Sequence, residues 1–294
     1  MMPMIARTRL GLAAARAAVA SPVVLVPTMG ALHEGHRALL RRARDLSMPN
    51  GSVVVSIFVN PLQFGAGEDF ERYPRTFHDD LAVTAQEGAQ LIFAPSRAEM
   101  YPHQQLITVD AGPMGAVLEG ASRPGHFAGV LTVVLKLFEL TAPDIAVFGE
   151  KDAQQLALIR RMVDEFDLGI EIVGVPTVRD PDGLAISSRN RFLSAEQRRS
   201  ALALSRSLRA GREAARAGPE AVVKAARDVL EPGGRGDLDP DYLELVDPRT
   251  FTPVSADHSG RAILVVAARV GTTRLIDNAA LDLGGGREDD AADD

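Results

Sequence analysis

The stretch VVLVPTMGALHEGH, residues 23–36, decides the fold. Val23, Val24, Leu25 and Val26 form an unbroken apolar run of strand length, closed by Pro27. A strand with one wet face would alternate apolar and polar residues. A continuous run is buried on both faces, as in a parallel sheet covered by helices. Gly30 then allows a tight turn. From Gly35 to Leu46 the apolar residues recur at helical spacing. Strand, glycine turn and helix in that order open a βαβ unit.

The same alternation runs outward from there. SVVVSIF (52–58), QLIFAP (90–95), DIAVFG (144–149) and IEIVGVP (170–176) read as further strands. Helical patterns cover 79–87, 130–140 and 152–166. The sum is a doubly wound α/β fold, a Rossmann-like parallel sheet with helices on both faces. The helix at 130–140 is apolar on most sides, so it is expected to be buried or to lie at a subunit contact. The first 22 residues are Ala-rich and mildly basic, without the apolar centre of a signal peptide. They are expected to form an amphipathic opening helix, with mitochondrial targeting the minor alternative.

The pattern changes near Thr177. Residues 179–194 are rich in turn formers and charge. Ser194 reads as the N-cap of a helix reaching about Arg216, and a second helix covers 219–230. EPGGRGDLDP (231–240) reads as a linker, and 241–247 and 262–270 as strands. The expected organisation is a parallel-sheet domain over 1–177, a smaller α+β C-terminal domain over 178–283, and a disordered acidic tail over 284–294.

Composition narrows the function classes. Of 294 residues 46% are hydrophobic and 24% charged, which is ordinary for a soluble globular chain. There is no cysteine, which excludes disulfides, iron–sulfur clusters, thiolate zinc sites and cysteine nucleophiles. The formal charge is −7, and residues 284–294, with five acids and one arginine, carry −4 of it. A body near neutrality advertises no nucleic-acid partner. No membrane partner is expected either. The most apolar stretch, 130–140, is shorter than the roughly 20 residues a span needs, and Lys136 and Glu139 interrupt it.

Ligands of open α/β sheets bind beyond the carboxyl ends of the strands, so the segments that leave strands matter most. PTMGALHEGH (27–36) places His33 and His36 three apart at the positive end of a helix. Backbone N–H groups there favour phosphate, and two imidazoles can donate to phosphoryl oxygens. Alone, the pair reads equally as a capped helix start with two surface histidines. Zinc-protease spacing is absent, since HEGH is one residue too short. VNPLQF (59–64) offers Asn60 and Gln63, neutral groups suited to hydroxyls and carboxylates, although Asn-Pro is also a common turn. FGEKDAQQ (148–155) offers Gly149 for close approach, Lys151 for phosphate, Asp152 for a ribose and Gln155 a turn later; a charged helix start is the alternative. AISSRN (185–190) joins Ser187, Ser188 and Arg189, a set suited to polyphosphate or simply a solvated loop.

In this order, PTMGALHEGH, SIFVNPLQF, SRPGHFAGV, FGEKDAQQL and AISSRNRFL resemble the pantothenate synthetase (pantoate–β-alanine ligase) family of the nucleotidylyltransferase superfamily. The resemblance covers roughly residues 23–278. It implies that 1–177 is an ATP- and pantoate-binding catalytic domain and 178–283 a lid. It implies a cytoplasmic homodimer using ATP with Mg2+, pantoate and β-alanine, and a pantoyl-adenylate intermediate that β-alanine resolves with release of AMP. Carried over by residue, Met29, Gly30, Ala31, Leu32, His33, Glu34, Gly35 and His36 line the ATP site, with His36 the proton donor and His33 on the phosphates. Gly149, Glu150, Lys151 and Asp152, the backbone of Val178, and Ile186, Ser187, Ser188 and Arg189 complete it. His33, His36, Lys151 and Arg189 are the expected catalytic group. Gln63, Gln155 and Asn60 are expected to hold pantoate, with Gln63 also beside β-alanine. Ile186 stands where the family commonly has Met. The metal ligands stay open. Asp79 and Asp80 read either as a metal-facing pair or as an exposed helix start. Another nucleotidylyltransferase, a nucleotide-binding regulator and an RNA-binding module are the rival readings.

Overall fold

The apolar run at residue 23 becomes a strand at the centre of a parallel sheet. A computed structural model of the chain describes residues 2–65, 67, 68, 70–230 and 238–284. The expected acidic tail, apart from Gly284, and the first seven residues of the expected linker lie outside the described residues. The chain divides into two compact units, Met1–Val178 and Arg179–Asp294.

The first unit holds β1 (Met4–Ala6), β2 (Val23–Thr28), β3 (Ser52–Ile57), β4 (Leu91–Phe93), β5 (Ile145–Gly149) and β6 (Glu171–Val175). All pair in parallel, in the order β1-β4-β3-β2-β5-β6. Period-two alternation splits the central strands between two cores. Val23, Leu25 and Val54 face one, built with Leu131, Val134 and Phe138 of α6 (His126–Thr141). Val24, Val26, Val53 and Val55 face the other, built with Leu39, Leu40 and Ala43 of α2 (Glu34–Ser47). Both faces are therefore covered, which is why the strands read as continuous apolar runs. Helix α6 is apolar on most sides because the first core surrounds it. Its hydrophobicity is satisfied within the subunit and no longer argues for a subunit contact.

The opening differs from the sequence reading. Instead of one helix there is β1 followed by α1 (Arg9–Arg16), capped by the Thr8 hydroxyl on the Gly11 amide. Three residues on a sheet edge carry too little pattern to read, and their pairing with Leu91–Phe93 makes them a strand. Between β3 and β5 lie α3 (Phe77–Gln86) and the one-turn helices α4 (Arg97–Met100) and α5 (Glu119–Ser122). Helix α7 (Ala153–Glu165) follows β5.

The second unit has α8 (Ala195–Glu213) and α9 (Pro219–Leu230), then antiparallel β7 (Leu238–Val246), β8 (Gly260–Val270) and β9 (Thr273–Leu283). Ser194 caps α8 reciprocally with Gln197. Helices and sheet share a core around Leu204, Leu208, Leu264 and Val266. Strand β9 is absent from the sequence reading. Its signal is the alternation of Leu275, Ala279, Leu281 and Leu283 facing inward, broken at one inward position by a buried aspartate, Asp277.

Candidate active site

The strand order sets the location. From β2 the chain winds outward through β3 and β4, then crosses back to β5 on the other side of β2. The direction reverses between β2 and β5, and such a switch point opens a crevice beyond the strand ends. The segments leaving β2 and β5 are PTMGALHEGH and FGEKDAQQ.

The turn after β2 is shaped by an acid. Gly30 has φ +80° and Ala31 φ +52°. Asp80, 2% exposed, accepts the Ala31 amide on one oxygen at 3.1 Å and the Leu32 amide on the other at 2.8 Å. The Thr76 hydroxyl donates to the same carboxylate at 3.3 Å. A Cβ on Gly30 would fall 2.8 Å from an Asp80 oxygen, so the clamp needs glycine there. The exposed helix start holds for Asp79 in the first turn of α3 and fails for Asp80, and the two acids do not face a metal as a pair. Asp79 is exposed, while Asp80 is buried and bound to backbone.

The turn delivers His33 as the N-cap of α2. The His33 backbone N–H donates to Nδ1 of His36 at 3.2 Å. The two rings lie 4.1 Å apart between centroids. Gly35 lets them do so, because a Cβ there would meet the His33 ring at 3.0 Å. Burial first, and the neighbouring His33 second, push the His36 imidazole down to about 3. With Nδ1 accepting, its one ring proton sits on Nε2. His36 is a neutral hydrogen-bond donor.

Beyond β3, Asn60 caps the 3-10 turn Pro61–Gln63. Asn60 is 1% exposed, and its amide is fully engaged by Leu62, Tyr101, Gly129 and Gln63. Gln63 Nε2 donates to the Met29 thioether at 3.2 Å, which ties this turn to the one after β2. The Gln63 carbonyl accepts from His126 Nδ1 at 2.9 Å and from Arg123 at 3.3 Å. Arg123 also forks onto Glu68 at 2.8 and 2.7 Å. The Arg123 guanidinium holds the Glu68 carboxyl below its ordinary range. Burial, then the Arg123 charge, lowers His126, whose Nε2 faces Arg123 at 3.0 Å.

After β5, Gly149 leads into Glu150–Asp152 and α7. The two glutamines that follow have separate tasks. Gln154 is buried and clips the 114–119 loop, donating to the Met114 and Val117 carbonyls and accepting the Glu119 amide. Gln155 is half-buried, as are Met29, Leu32 and Lys151; Asp152 is exposed. Val178 follows β6 and closes the first unit.

In the second unit Ile186, Ser187, Ser188 and Arg189 are all half-buried. The Ser187 hydroxyl accepts the Arg189 amide at 3.3 Å and starts a 3-10 turn, Ser188–Phe192. The preceding turn is clipped twice. Arg198 binds Asp180 and Asp182, and Arg179 binds buried Asp277 at 2.6 and 2.9 Å.

The model of one protein family, pantoate-beta-alanine ligase, matches residues 2–280. The chain belongs to the pantoate–β-alanine ligase family. It is 60% identical to the pantothenate synthetase of Thermobifida fusca, over 89% of this chain and 90% of the relative. It is 56% identical to that of Mycolicibacterium smegmatis, over 89% and 81%. A crystal structure of the Thermus thermophilus pantothenate synthetase superposes with TM-score 0.86 at 47% identity, over 94% and 98% of the two chains. A Francisella tularensis pantoate-beta-alanine ligase, solved with beta-gamma ATP and beta-alanine, superposes at 0.76 with 33% identity, over 94% and 97%. As a family member the chain is an ATP-dependent ligase of pantoate and β-alanine.

Three residues near this site, and the role of a fourth, escape sequence reasoning. Arg123 and His126 lie in SRPGHFAGV, a segment read only for its place in the family resemblance, with a basic pair three apart before an apolar helix as its chemical signal. Asp80 reads as a possible metal-facing acid or an exposed helix start, and nothing in the spacing shows that it binds the Ala31 and Leu32 amides. Tyr101 lies far along the chain, and its hydroxyl matters through a contact no spacing encodes.

Proposed function

We propose that the ligation runs through pantoyl adenylate in the crevice between β2 and β5. A pantoate carboxylate oxygen attacks the α-phosphorus of ATP, the bond from that phosphorus to the β-phosphate oxygen breaks, and pyrophosphate leaves. The β-alanine amine then attacks the acyl carbon, the bond to the AMP oxygen breaks, and the amine sheds a proton. No covalent enzyme intermediate is needed, so catalysis is positioning and charge stabilisation.

The residues divide this work by their chemistry. His36 donates its Nε2–H to a phosphoryl oxygen as charge builds, acting as a neutral donor rather than an imidazolium. His33 and Lys151 serve the phosphates. Ser187, Ser188 and Arg189 add hydroxyls and a guanidinium for the triphosphate, with Ile186 and Val178 contributing backbone. Asp152 serves the ribose. Gln63 and Gln155 hold pantoate, and Gln63 also neighbours β-alanine. Asn60 works on Gln63 rather than on the acid, since its own amide is fully used inside the protein.

Mg2+ accompanies ATP, but the residues present do not make a cage for it. Among the described residues no three metal-ligating side chains cluster. Both Asp80 oxygens accept backbone amides. Family membership supports a homodimer and, with ATP as substrate, work in the cytoplasm. No helix among the described residues is long and apolar enough to cross a membrane.

The observation that carries this reading is the tie between two strand-end segments, Gln63 after β3 donating to Met29 after β2, beside the switch point where β5 leads into Lys151 and Asp152. Exchange of labelled pyrophosphate into ATP tests it. Exchange is expected with pantoate alone, and absence of exchange until β-alanine is added contradicts it.

A further inference from the structure

A primary amide meets a carboxylate with its nitrogen outward, and we propose that Tyr101, acting through Asn60, is a positioning residue that strengthens the hold on Gln63 that way round. The inference rests on Gln63 holding the acid.

The orientation is set by backbone groups that cannot change sign. The Leu62 N–H, a donor, lies 3.3 Å from one end of the Asn60 amide, and the Gly129 carbonyl, an acceptor, lies 3.1 Å from the other. The first end is therefore oxygen and the second nitrogen. The Tyr101 hydroxyl donates to that oxygen at 2.9 Å, a shorter bond than the one from Leu62. The second hydrogen on Asn60 Nδ2 points at Gln63 Oε1, 3.1 Å away. Gln63 must then present its NH2 on the other side. There its protein partner is the thioether of Met29, a weak acceptor. A carboxylate or hydroxyl oxygen is a better partner, so the site favours a ligand that brings an oxygen acceptor to this point.

Tyr101 is built to hold its end. Its ring lies 6.0 Å from the Phe58 ring, and the Lys136 ammonium sits 5.1 Å from its face. Burial raises the phenol above its ordinary range, so it remains a donor at every working pH. Gly129 lets α6 press against the turn. A Cβ there would fall 2.2 Å from the Leu62 carbonyl oxygen.

Tyr101→Phe in the full-length protein removes the hydroxyl and keeps both ring contacts. The KM for pantoate is expected to rise about 3- to 10-fold, the effect of losing one neutral hydrogen bond. The KM for ATP should stay at its wild-type value, and the melting temperature should fall by no more than a few degrees. An unchanged pantoate KM overturns the proposal. So does an equal rise in both KM values, or a lower melting temperature with no KM change, since either marks a merely structural role. Asn60→Asp supplies a second arm. Its carboxylate has no hydrogen for Gln63 Oε1, the Gln63 amide turns over, and pantoate KM should rise more than in Tyr101→Phe. A smaller rise contradicts the relay. If the unmutated protein shows no pantoate dependence, the reading of Gln63 itself fails, and that result is distinct from a failure confined to the variants.

Discussion

His36 has one ring proton and one ring acceptor, and the fold assigns both. Nδ1 takes the His33 amide, and burial keeps the imidazole neutral down to about pH 3. A group that gives a hydrogen bond can be replaced in part by another neutral donor, whereas an acid that gives up a proton cannot. His36→Ala is expected to slow adenylation by about 10²–10³-fold, as removal of an oxyanion-type donor does. His36→Gln, whose Nε2–H reaches a similar point, should recover at least about tenfold of that loss. Because His36 binds no proton above about pH 3–4, its wild-type rate profile should carry no acid limb near 6.5 that His36→Gln removes. Equal damage by Ala and Gln, with such a limb, would restore the proton-donor role. His33, His36, Gln63 and Lys151 were legible as residues because their types and their places after strands are chemically suggestive. Tyr101, Arg123 and His126, and the clamping role of Asp80, were not, because each acts through a partner at least 40 positions away in the chain: Leu32, Asn60 or Gln63.

The entry into α2 is an element whose shape depends on one carboxylate. Two consecutive left-handed residues, Gly30 and Ala31, bring the amides of Ala31 and Leu32 inward, and Asp80 satisfies both. Asp80→Ala leaves two buried donors without an acceptor. The expected loss is about 2–4 kcal/mol in urea unfolding, with a fall in ATP affinity as the turn relaxes. A loss under about 0.5 kcal/mol, the range of ordinary surface changes, would show that the clamp is dispensable. At this scale the sequence is readable wherever an element is long and periodic. The expected helix from Ser194 appears with its cap in place, and the helix at 219–230 with the bounds its pattern predicts. Two strands escape for different reasons. Strand β1 has only three residues, and β9 hides its alternation behind Asp277, an acid that faces inward because Arg179 neutralises it.

At the scale of the whole molecule, the decisive feature is the order of strands in the first unit. Continuous apolar runs announce a parallel sheet, but they do not say which strands are neighbours. The reversal between β2 and β5 brings together segments more than a hundred residues apart, and it is a property of topology. Motif order, read as a family resemblance, supplied what periodicity could not. The central claim is that the acid is activated at the α-phosphorus, and oxygen labelling tests it directly. With pantoate carrying 18O in its carboxylate, complete turnover with ATP and β-alanine should leave one 18O in the phosphate of AMP. Label in inorganic phosphate, with ADP as the nucleotide product, would place the attack at the γ-phosphorus and contradict the account.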